Sequence, residues 1–331
     1  MTPRVAVAPM MDWTDRHCRV FHRRLHPSAR LFTEMVTPNA ILHGDKTRLL
    51  GYCAEEHPLV LQLGGADPDA LAKASDIARA YGYDEVNLNV GCPSDRVQGG
   101  RFGACLMREP ALVGRCLEAM GTAGLPVSVK CRLGVDDQNT ETALDALADA
   151  AVAAGVCAIW VHARKAWLDG LSPAQNRTVP PLDHDRVHRL KARLPDVFVG
   201  INGGIDTVDA VHHHSTRVDG VMIGRAAYQR PGVLAELGGR GSFRERLAVA
   251  RSMVDYGAWW VDRGGRLSNV TRHMLGLFHG EPGARAWRRT LTEDARAETA
   301  GADILTNAIE AMEAAAQAAE RHAQDRAVCP A

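Results

Sequence analysis

Short apolar segments recur along the first two-thirds of the chain, and stretches with helical spacing separate most of them. Three of these stretches carry helix-start signals, at Asp67-Pro68, Glu109-Pro110 and Asp206. The apolar segments have the length and composition of β-strands. We therefore predict eight strands, over residues 5–10, 31–36, 59–63, 85–90, 127–132, 159–163, 197–202 and 220–223.

Strand and helix alternating in this way predict an α/β fold, a (β/α)₈ TIM barrel, which usually takes roughly 250 residues. An open doubly wound sheet would show the same alternation. The number of strands and the lack of a GxGxxG turn after the first strand favour the barrel.

The pattern changes after about Pro231. Residues 243–264 and 293–321 are rich in alanine and charge, have helical spacing and contain no strand-like run. We predict a TIM-barrel catalytic domain over residues 1–238, a smaller all-helical C-terminal domain over 239–322 and a flexible tail over 323–331.

Reactive groups of a TIM barrel gather where the strands end at their carboxyl edge. Nearly every predicted strand delivers a polar or reactive group to that edge, which predicts one active-site rim. The groups are Pro9-Met10, Glu34-Met35, Gln62, Asn87, Asn89, Cys92, Lys130, Arg132, His162, Arg164, Lys165, Asn202-Gly203-Gly204 and Gly224-Arg225.

The last two strand ends predict a phosphate site. Asn202-Gly203-Gly204-Ile205 opens the helix that we expect near Asp206, and Gly224-Arg225 follows the eighth strand. Glycines let backbone N–H groups approach a phosphate, a helix N-terminus adds a favourable dipole, and an arginine can bind the oxygens in a fork. If these glycines only turned the chain, one such loop would be explained, but not both.

Cys92 follows a strand that ends in Asn89-Val90-Gly91, which places its thiol on a loop where a substrate can reach it. Lys130 fits three roles: a Schiff-base lysine, an ion-pair partner, or a cation facing an anionic cofactor ring. His162 is equally compatible with a buried structural histidine, and Gln62 suits the edge of a heteroaromatic ring.

Two histidine groups are interpreted as parts of helix surfaces. His184 and His188 have i,i+4 spacing without a third ligand nearby in the sequence, which favours a helix surface over a metal site. His212-His213-His214 falls in a predicted helix and is expected on a solvated face. No metal site is predicted.

The composition limits the class of protein. The 331 residues include 39 Lys and Arg against 39 Asp and Glu, so any nucleic-acid contact requires local positive charge. Eight cysteines without a CxxC pair predict a reduced, intracellular protein. Because no signal peptide or membrane-length apolar run is present, we expect a cytoplasmic protein without a membrane contact.

Several short motifs, in this order and spacing, resemble the tRNA-dihydrouridine synthases over residues 5 to about 301. They are Ala8-Pro9-Met10, Leu88-Asn89-Val90-Gly91-Cys92-Pro93, Gly103-Ala104-Cys105-Leu106-Met107, Lys130-Cys131-Arg132 and Asn202-Gly203-Gly204-Ile205. Asn176-Arg177 with Pro180-Pro181-Leu182, and the segment 271–278, resemble the A subfamily, whose members act on D-loop uridines 20 and 20a.

The resemblance implies an FMN-containing barrel that takes hydride from NADPH and passes it to C6 of a uracil in tRNA. It implies that Cys92 donates a proton to C5, so the thiol must stay protonated. Lys130 would stabilise reduced FMN, and Asn89 and Arg132 would contact the uracil or the flavin. The FMN contacts carried across are Pro9, Met10, Met11, Gln62, Lys130, His162, Asn202, Gly203, Gly204, Gly224 and Arg225. Cys131, between Lys130 and Arg132, is expected to pack away from them.

A tRNA partner fits a local charge cluster. Residues 263–289 contain six arginines and one acidic residue, and Trp287 adds an aromatic ring beside Arg288 and Arg289. A solvated helix face is the alternative. Together with cations on the barrel rim, the cluster predicts a tRNA-binding cleft between the domains. The expected tRNA contacts are Arg164, Lys165, Arg177, Arg272, Arg285, Arg288 and Arg289, on a monomer without a protein partner.

Two other enzyme classes use parts of this site. A flavin-dependent dehydrogenase of a free pyrimidine such as dihydroorotate has the same chemistry, but does not need the arginine-rich tail. A Schiff-base aldolase would use Lys130 without a flavin.

Overall fold

The structure, a computed structural model, describes residues 4–94 and 100–328. These residues form two compact units. The barrel unit comprises the residues up to Arg16 and Ser28–Gly224, and the helical unit comprises His17–Pro27 and the residues from Arg225 onward. The helical unit thus includes a segment near the amino terminus and begins before residue 239, where the sequence places the second domain. The predicted functional division of the domains stays a prediction.

Eight parallel strands close into a barrel in the order in which they follow along the chain. The last strand pairs with the first, with Val5 opposite Val221 and Val7 opposite Ile223. This closure confirms the TIM barrel over the open sheet. The strands are β1 Val5–Val7, β2 Arg30–Phe32, β3 Leu59–Leu63, β4 Glu85–Val90, β5 Val127–Arg132, β6 Ala158–His162, β7 Val199–Asn202 and β8 Gly220–Ile223.

Four strands have the predicted limits, β1, β2 and β7 are shorter, and β6 is shifted by one residue. The chain leaves β1 early because Thr14 holds Met10 in a turn: its hydroxyl accepts from the Met10 N–H at 2.9 Å and donates to the Met10 carbonyl at 3.1 Å. These bonds take the Met10 peptide groups that a longer strand would use.

Fourteen α-helices complete the described part of the chain. They are α1 Arg16–Leu25, α2 Pro38–His43, α3 Lys46–Leu50, α4 Pro68–Tyr81, α5 Pro110–Gly121, α6 Thr140–Ala153, α7 His184–Arg193, α8 Val208–Ser215, α9 Arg225–Gln229, α10 Gly232–Leu237, α11 Phe243–Val261, α12 Leu267–Thr271, α13 Ala284–Thr292 and α14 Asp303–Val328. Short 3₁₀ turns lie at Ala54–Glu56, Gly103–Arg108, Gln175–Arg177 and Asp294–Arg296.

The predicted helix starts are confirmed at two places and shifted at the third. Asp67 caps α4 by accepting from two backbone N–H groups, and Pro110 occupies the first turn of α5. Helix α8 begins at Val208 and is capped by the hydroxyl of Thr207, not by Asp206. The hydroxyl accepts from the Ala210 N–H, as an N-cap serine or threonine does.

Trp160 fills the interior of the barrel, where a small cluster of apolar side chains surrounds it. A Cβ at Gly200 would lie 2.2 Å from the Trp160 ring, and one at Gly220 would lie 2.9 Å from it. The absence of side chains at these two glycines on β7 and β8 therefore makes room for the indole. The cluster comprises Ala6, Ala8, Phe32, Val60, Ala158, Trp160 and Met222, with Phe198 against it.

The helical unit has its own core. Trp287 is 1% exposed, donates through Nε1 to the Met274 carbonyl at 3.0 Å and meets Phe278 edge-on. This ring is therefore not available for stacking on a base, because the apolar face of α13 turns it inward. Helix α1 joins the same unit: Nδ1 of His17 lies 2.9 Å from the Tyr256 hydroxyl on α11.

The last helix departs from the predicted pattern at both ends. It starts at Asp303, after a 3₁₀ turn at Asp294–Arg296, and continues to Val328 through most of the segment predicted as a tail. Its alanine-rich sequence favours that extension. Residues 329–331, with Cys329, lie outside the described residues. In the described part of the chain, no helix is both long and apolar enough to cross a membrane.

Candidate active site

A chain of buried amides crosses three neighbouring strands inside the barrel. Gln62 on β3 donates through Nε2 to Oδ1 of Asn87 at 2.8 Å, and Asn89 donates through Nδ2 to Oε1 of Gln62 at 2.8 Å. Asn87 in turn donates to the Ser128 hydroxyl on β5 at 2.7 Å. Because these groups are buried, their mutual hydrogen bonds fix the amide orientations.

The amide of Asn89 also builds the turn that carries Cys92. Its Oδ1 accepts from the backbone N–H of Gly91 at 3.1 Å and of Cys92 at 2.9 Å. The Cys92 carbonyl accepts from Ala104 N–H at 2.9 Å, and its half-buried thiol donates to the Ser94 hydroxyl at 3.5 Å. The thiol is therefore held at a defined place directly beyond the carboxyl end of β4.

Arg132 at the end of β5 connects the loop after β4 with the loop after β6. Its Nε donates to the Gly91 carbonyl, and its Nη1 donates to the carbonyls of Lys165 and Asn176, each at 2.9 Å. The side chain is 3% exposed, and burial lowers the pKa of its guanidinium to about 10. Arg132 thus holds the Cys92 turn from the carbonyl side, and its direct contact with a uracil or flavin stays a prediction.

Lys130 carries a positive charge that no described side chain balances. Its amine has no hydrogen-bond or ion-pair partner within residues 4–94 and 100–328, and no described carboxylate pairs with Arg132 either. Burial, followed by the positive charge of Arg132, lowers the pKa of Lys130 to about 8. Two neighbouring cations without a counter-ion favour an anionic ligand at this rim.

The glycine loop after β7 has the geometry of an anion cradle. Gly203 and Gly204 have φ of 111° and 71°, and a Cβ would lie 2.5 Å from His162 Cδ2 at the first and 2.5 Å from Leu182 Cδ1 at the second. Neither glycine N–H donates a hydrogen bond to any described residue. Beside Gly224 the space is open, with the nearest atom, Ala8 Cβ, at 3.9 Å from a built Cβ. These loops fit a bound phosphate.

The other predicted cofactor contacts lie at neighbouring strand ends. Pro9 and Met10 follow β1 and are half-buried, and Met11 is 54% exposed. His162 ends β6 opposite Asn202, whose Nδ2 donates to the Met222 carbonyl at 2.7 Å. Arg225 begins α9 directly after Gly224. The structure therefore places the predicted contacts Pro9, Met10, Gln62, Lys130, His162, Asn202 and Gly224 at or next to the carboxyl ends of barrel strands.

Three predicted tRNA contacts follow β6. Arg164 donates through Nη1 to the Pro180 carbonyl, and Lys165 Nζ lies 5.9 Å from the centre of the exposed Trp167 ring. Arg177 is exposed in the 3₁₀ turn at Gln175–Arg177. Arg164 and Lys165 thus have contacts within the barrel unit, and their binding to RNA stays a prediction.

Asn176 stabilises the loop after β6, a role that the sequence patterns do not predict. This residue is fully buried and braces the loop: its Oδ1 accepts from Trp167 N–H and its Nδ2 donates to the Trp167 carbonyl, each at 2.8 Å. Its own carbonyl accepts from Arg132. An asparagine in a Ser-Pro-Ala-Gln-Asn segment signals such backbone capping, but not its distant partner.

The expectation of a solvated face is wrong for His214. Its side chain is 6% exposed on α8, and its Nδ1 lies 3.2 Å from Nε2 of His188 on α7. Packing between the two helices buries this face, whereas His212 and His213 are exposed. His184 reaches the glycine loop, where its Nε2 donates to the Gly203 carbonyl at 2.7 Å. Among the described residues, no group of three His, Cys, Asp or Glu side chains could hold a metal ion.

The helical unit carries an arginine surface, which we define as Arg272, Arg285, Arg288 and Arg289. All four are exposed, and Arg285, Arg288 and Arg289 form no ion pair with any described residue. Arg272 and Arg288 line a cavity of about 230 Å³ together with Tyr228, Gln229 and His279. Clustered exposed cations suit an anionic macromolecule.

Comparison with known proteins gives one consistent result. A family model described as dihydrouridine synthase (Dus) matches residues 6–319. Two relatives bear the name tRNA-dihydrouridine(20/20a) synthase. The protein from Xanthomonas campestris pv. campestris is 56% identical to this chain over 310 residues, which is 92% of each chain. The protein from Salmonella typhimurium is 51% identical over 308 residues, which is 91% of this chain and 92% of that one.

Solved structures share the fold. The likeness to 2-naphthoyl-CoA reductase has a TM-score of 0.55 at 11% identity and covers 72% of this chain and 50% of that one. Morphinone reductase is similar with a TM-score of 0.50 at 12% identity, over 71% of this chain and 85% of that one.

We expect Asn89→Leu to loosen the Cys92 turn, because the N–H groups of Gly91 and Cys92 lose their acceptor. A buried group left unpaired costs about 1–3 kcal/mol, so amide hydrogen exchange of a peptide over residues 88–94 should become roughly tenfold faster or more.

Asn87→Leu is the matched control, since Asn87 is buried in the same amide chain but has no hydrogen bond to residues 91–94 of the turn. Asn89→Asp keeps the acceptor oxygens and should retain slow exchange. If exchange over residues 88–94 were the same in Asn89→Leu and the wild type, Asn89 would not hold the turn.

Proposed function

Since the chain belongs to the dihydrouridine synthase family, we propose that it is a tRNA-dihydrouridine(20/20a) synthase. It is a flavin-dependent oxidoreductase that reduces the C5=C6 bond of D-loop uridines 20 and 20a, with FMN as cofactor and NADPH as reductant. We further propose that it acts as a cytoplasmic monomer with tRNA as its macromolecular partner.

One observation is the main support for this proposal. The Cys92 thiol follows the end of β4, and the Lys130 amine, which has no partner among the described residues, lies near the end of β5, with Asn89 and Lys130 paired in register between the two strands. We infer that Cys92 is the proton donor and that Lys130, which has no described carboxylate partner, provides a cation beside it. Reduction of a uracil by a flavin needs both of these groups.

The residues present fit FMN. The N–H groups of Gly203 and Gly204, which donate to no described residue, would bind its phosphate with Gly224 and the next residue Arg225. Lys130 would hold the pyrimidine side of the ring, and Pro9, Met10, Met11, Gln62, His162 and Asn202 would line the remainder. When bound, FMN supplies the hydride that uracil C6 receives, and NADPH restores it.

Cys92 completes the reduction. Its S–H bond breaks as a C–H bond forms at C5, the electron pair of the former C5=C6 bond takes up the proton, and the resulting thiolate regains a proton from water. This role requires a protonated thiol, so a strongly acidified cysteine would be a poorer donor. Asn89 and Arg132 support the step by fixing the turn that carries the sulfur.

The RNA must present its uracil outside the base stack, at a cost of about a few kcal/mol. We propose that the arginine surface and the rim residues Arg164, Lys165 and Arg177 supply the phosphate contacts that offset this cost. A dehydrogenase of a free pyrimidine has no use for these exposed cations, and the relatives bear the name of a tRNA enzyme. The observations therefore favour tRNA over dihydroorotate.

The direct test is incubation of unmodified tRNA with the purified protein and NADPH. Mass-spectrometric mapping should show a gain of two hydrogens at uridines 20 and 20a. Unchanged tRNA, together with turnover of free uracil or dihydroorotate, would contradict the proposal.

We expect Cys92→Ala to keep flavin binding and flavin reduction by NADPH but to lose most dihydrouridine formation. Loss of a general acid typically lowers the rate by about 10²–10⁴-fold. Single-turnover assays that follow flavin absorbance and tRNA mass separate the two half-reactions.

Cys105→Ala is the control, because Cys105 is also free and half-buried in the loop after β4. It should leave both half-reactions unchanged. Full dihydrouridine formation by Cys92→Ala would refute the role of proton donor.

Replacing both Arg288 and Arg289 with alanine should weaken tRNA binding, because two cations that can bind phosphate groups are removed. The slope of log affinity against log salt should fall by about one for each phosphate that the protein no longer binds. Filter binding or anisotropy at several salt concentrations measures this slope.

Arg251→Ala is a suitable control, since Arg251 is an exposed arginine of the same unit that is already paired with Glu313. An unchanged slope in the double variant would place the RNA-binding surface elsewhere.

FMN affinity should fall as the pH rises through about 8. Burial lowers the pKa of Lys130 to about 8, so above that pH the free site loses the charge that attracts the cofactor. The loss should reach up to about tenfold per pH unit. Fluorescence titration of apoprotein with FMN between pH 7 and 10 measures it.

Lys130→Met should bind FMN more weakly and without this pH dependence. Lys165→Met, at the neighbouring strand end, should behave like the wild type. A Lys130→Met protein with the wild-type pH profile would exclude Lys130 as the titrating group.

A further inference from the structure

Three neighbouring histidines, one of which contacts the glycine loop, have no role in the site proposed above. His184 is the first residue of α7, and its ring meets that of His214 on α8 with centroids 4.5 Å apart and an interplanar angle of 67°. His214 also reaches His188, one turn further along α7, at 3.2 Å. The three rings therefore form a contact between α7 and α8.

The bond from His184 to the loop has a defined direction. The Gly203 carbonyl can only accept, so Nε2 of His184 carries the hydrogen in the 2.7 Å bond. In a trans peptide the carbonyl and the following N–H point to opposite sides. With the Gly203 carbonyl turned towards His184, the Gly204 N–H points away from it.

The loop needs such a restraint because both its residues are glycines with positive φ. Glycine adopts many backbone conformations, and this peptide can rotate unless another group holds it. Neither glycine N–H has a partner among the described residues, so the bond to His184 is the polar contact that orients the peptide.

The His214 ring packs against His184 without adding charge. His214 is buried, and burial together with its neighbours His184, His188, His213 and Arg217 lowers its pKa to about 4. It is therefore neutral near pH 7 and supports His184 without repelling it.

We propose that His184 is a positioning residue for the phosphate of the cofactor: it holds the Gly203 carbonyl so that the Gly204 N–H faces the phosphate. The inference rests on the proposed function, which supplies FMN as the ligand. His184 acts through the loop and does not touch the cofactor.

Comparison of FMN with riboflavin isolates this role, since riboflavin has the same ring but no phosphate. Fluorescence titration of apoprotein gives both affinities. His184→Phe keeps an aromatic ring against His214 but removes the donor, so FMN affinity should fall about tenfold, as expected for the loss of one hydrogen bond. Riboflavin affinity should stay unchanged.

Three further variants complete the design. His184→Gln can donate to the Gly203 carbonyl through its side-chain amide and should restore most of the FMN affinity. His184→Leu removes the same donor with a smaller side chain and replaces His184→Phe if that variant does not fold. His212→Phe, at an exposed position of α8, should match the wild type for both flavins.

The outcomes separate this inference from the proposed function. A wild-type preference for FMN that persists in His184→Phe, or an equal loss for both flavins, would overturn the positioning role alone. Equal wild-type affinities for FMN and riboflavin would overturn the assignment of FMN, and the positioning role with it.

Discussion

The barrel depends on how Trp160 fills its interior. Eight strands close around a space that side chains must occupy, and one indole on β6 takes much of it because β7 and β8 provide glycine where its ring lies. A closed barrel in turn brings the carboxyl ends of distant strands to one rim. The positions of Lys130, Cys92 and the glycine loop all follow from this closure.

Strand β4 has a charged residue near its start and neutral amides near its end. Near its start, Glu85 is buried with its pKa raised by burial and forms an ion pair with Arg30, while near its end Asn87 and Asn89 join the amide chain. The amides are neutral and fully paired, so they add rigidity without charge. On the neighbouring strand β5, Lys130 is in register with Asn89 and Arg132 ends the strand, and no described carboxylate neutralises their charges. The protein thus keeps its positive charge where an anionic ligand can use it.

The sequence was sufficient for the barrel and most of the rim, since local patterns determine both. Alternation and turn signals locate β3, β4, β5 and β8, and strand ends locate the reactive groups. Contacts between distant segments were not accessible in this way. The burial of Trp287 and His214 and the loop contacts of Arg132 depend on which helix or loop faces them, and no local pattern encodes that.

The membership of α1 in the helical unit has a consequence for synthesis of the protein. Its buried residues Cys18, Val20 and Phe21 and its contact from His17 to Tyr256 join segments more than two hundred residues apart. At about 5–20 residues per second, a ribosome needs roughly 10–50 s between these two points. During that time α1 has emerged without the residues that cover it, so the amino-terminal part of the nascent chain must wait for the carboxyl-terminal part before the helical unit can fold.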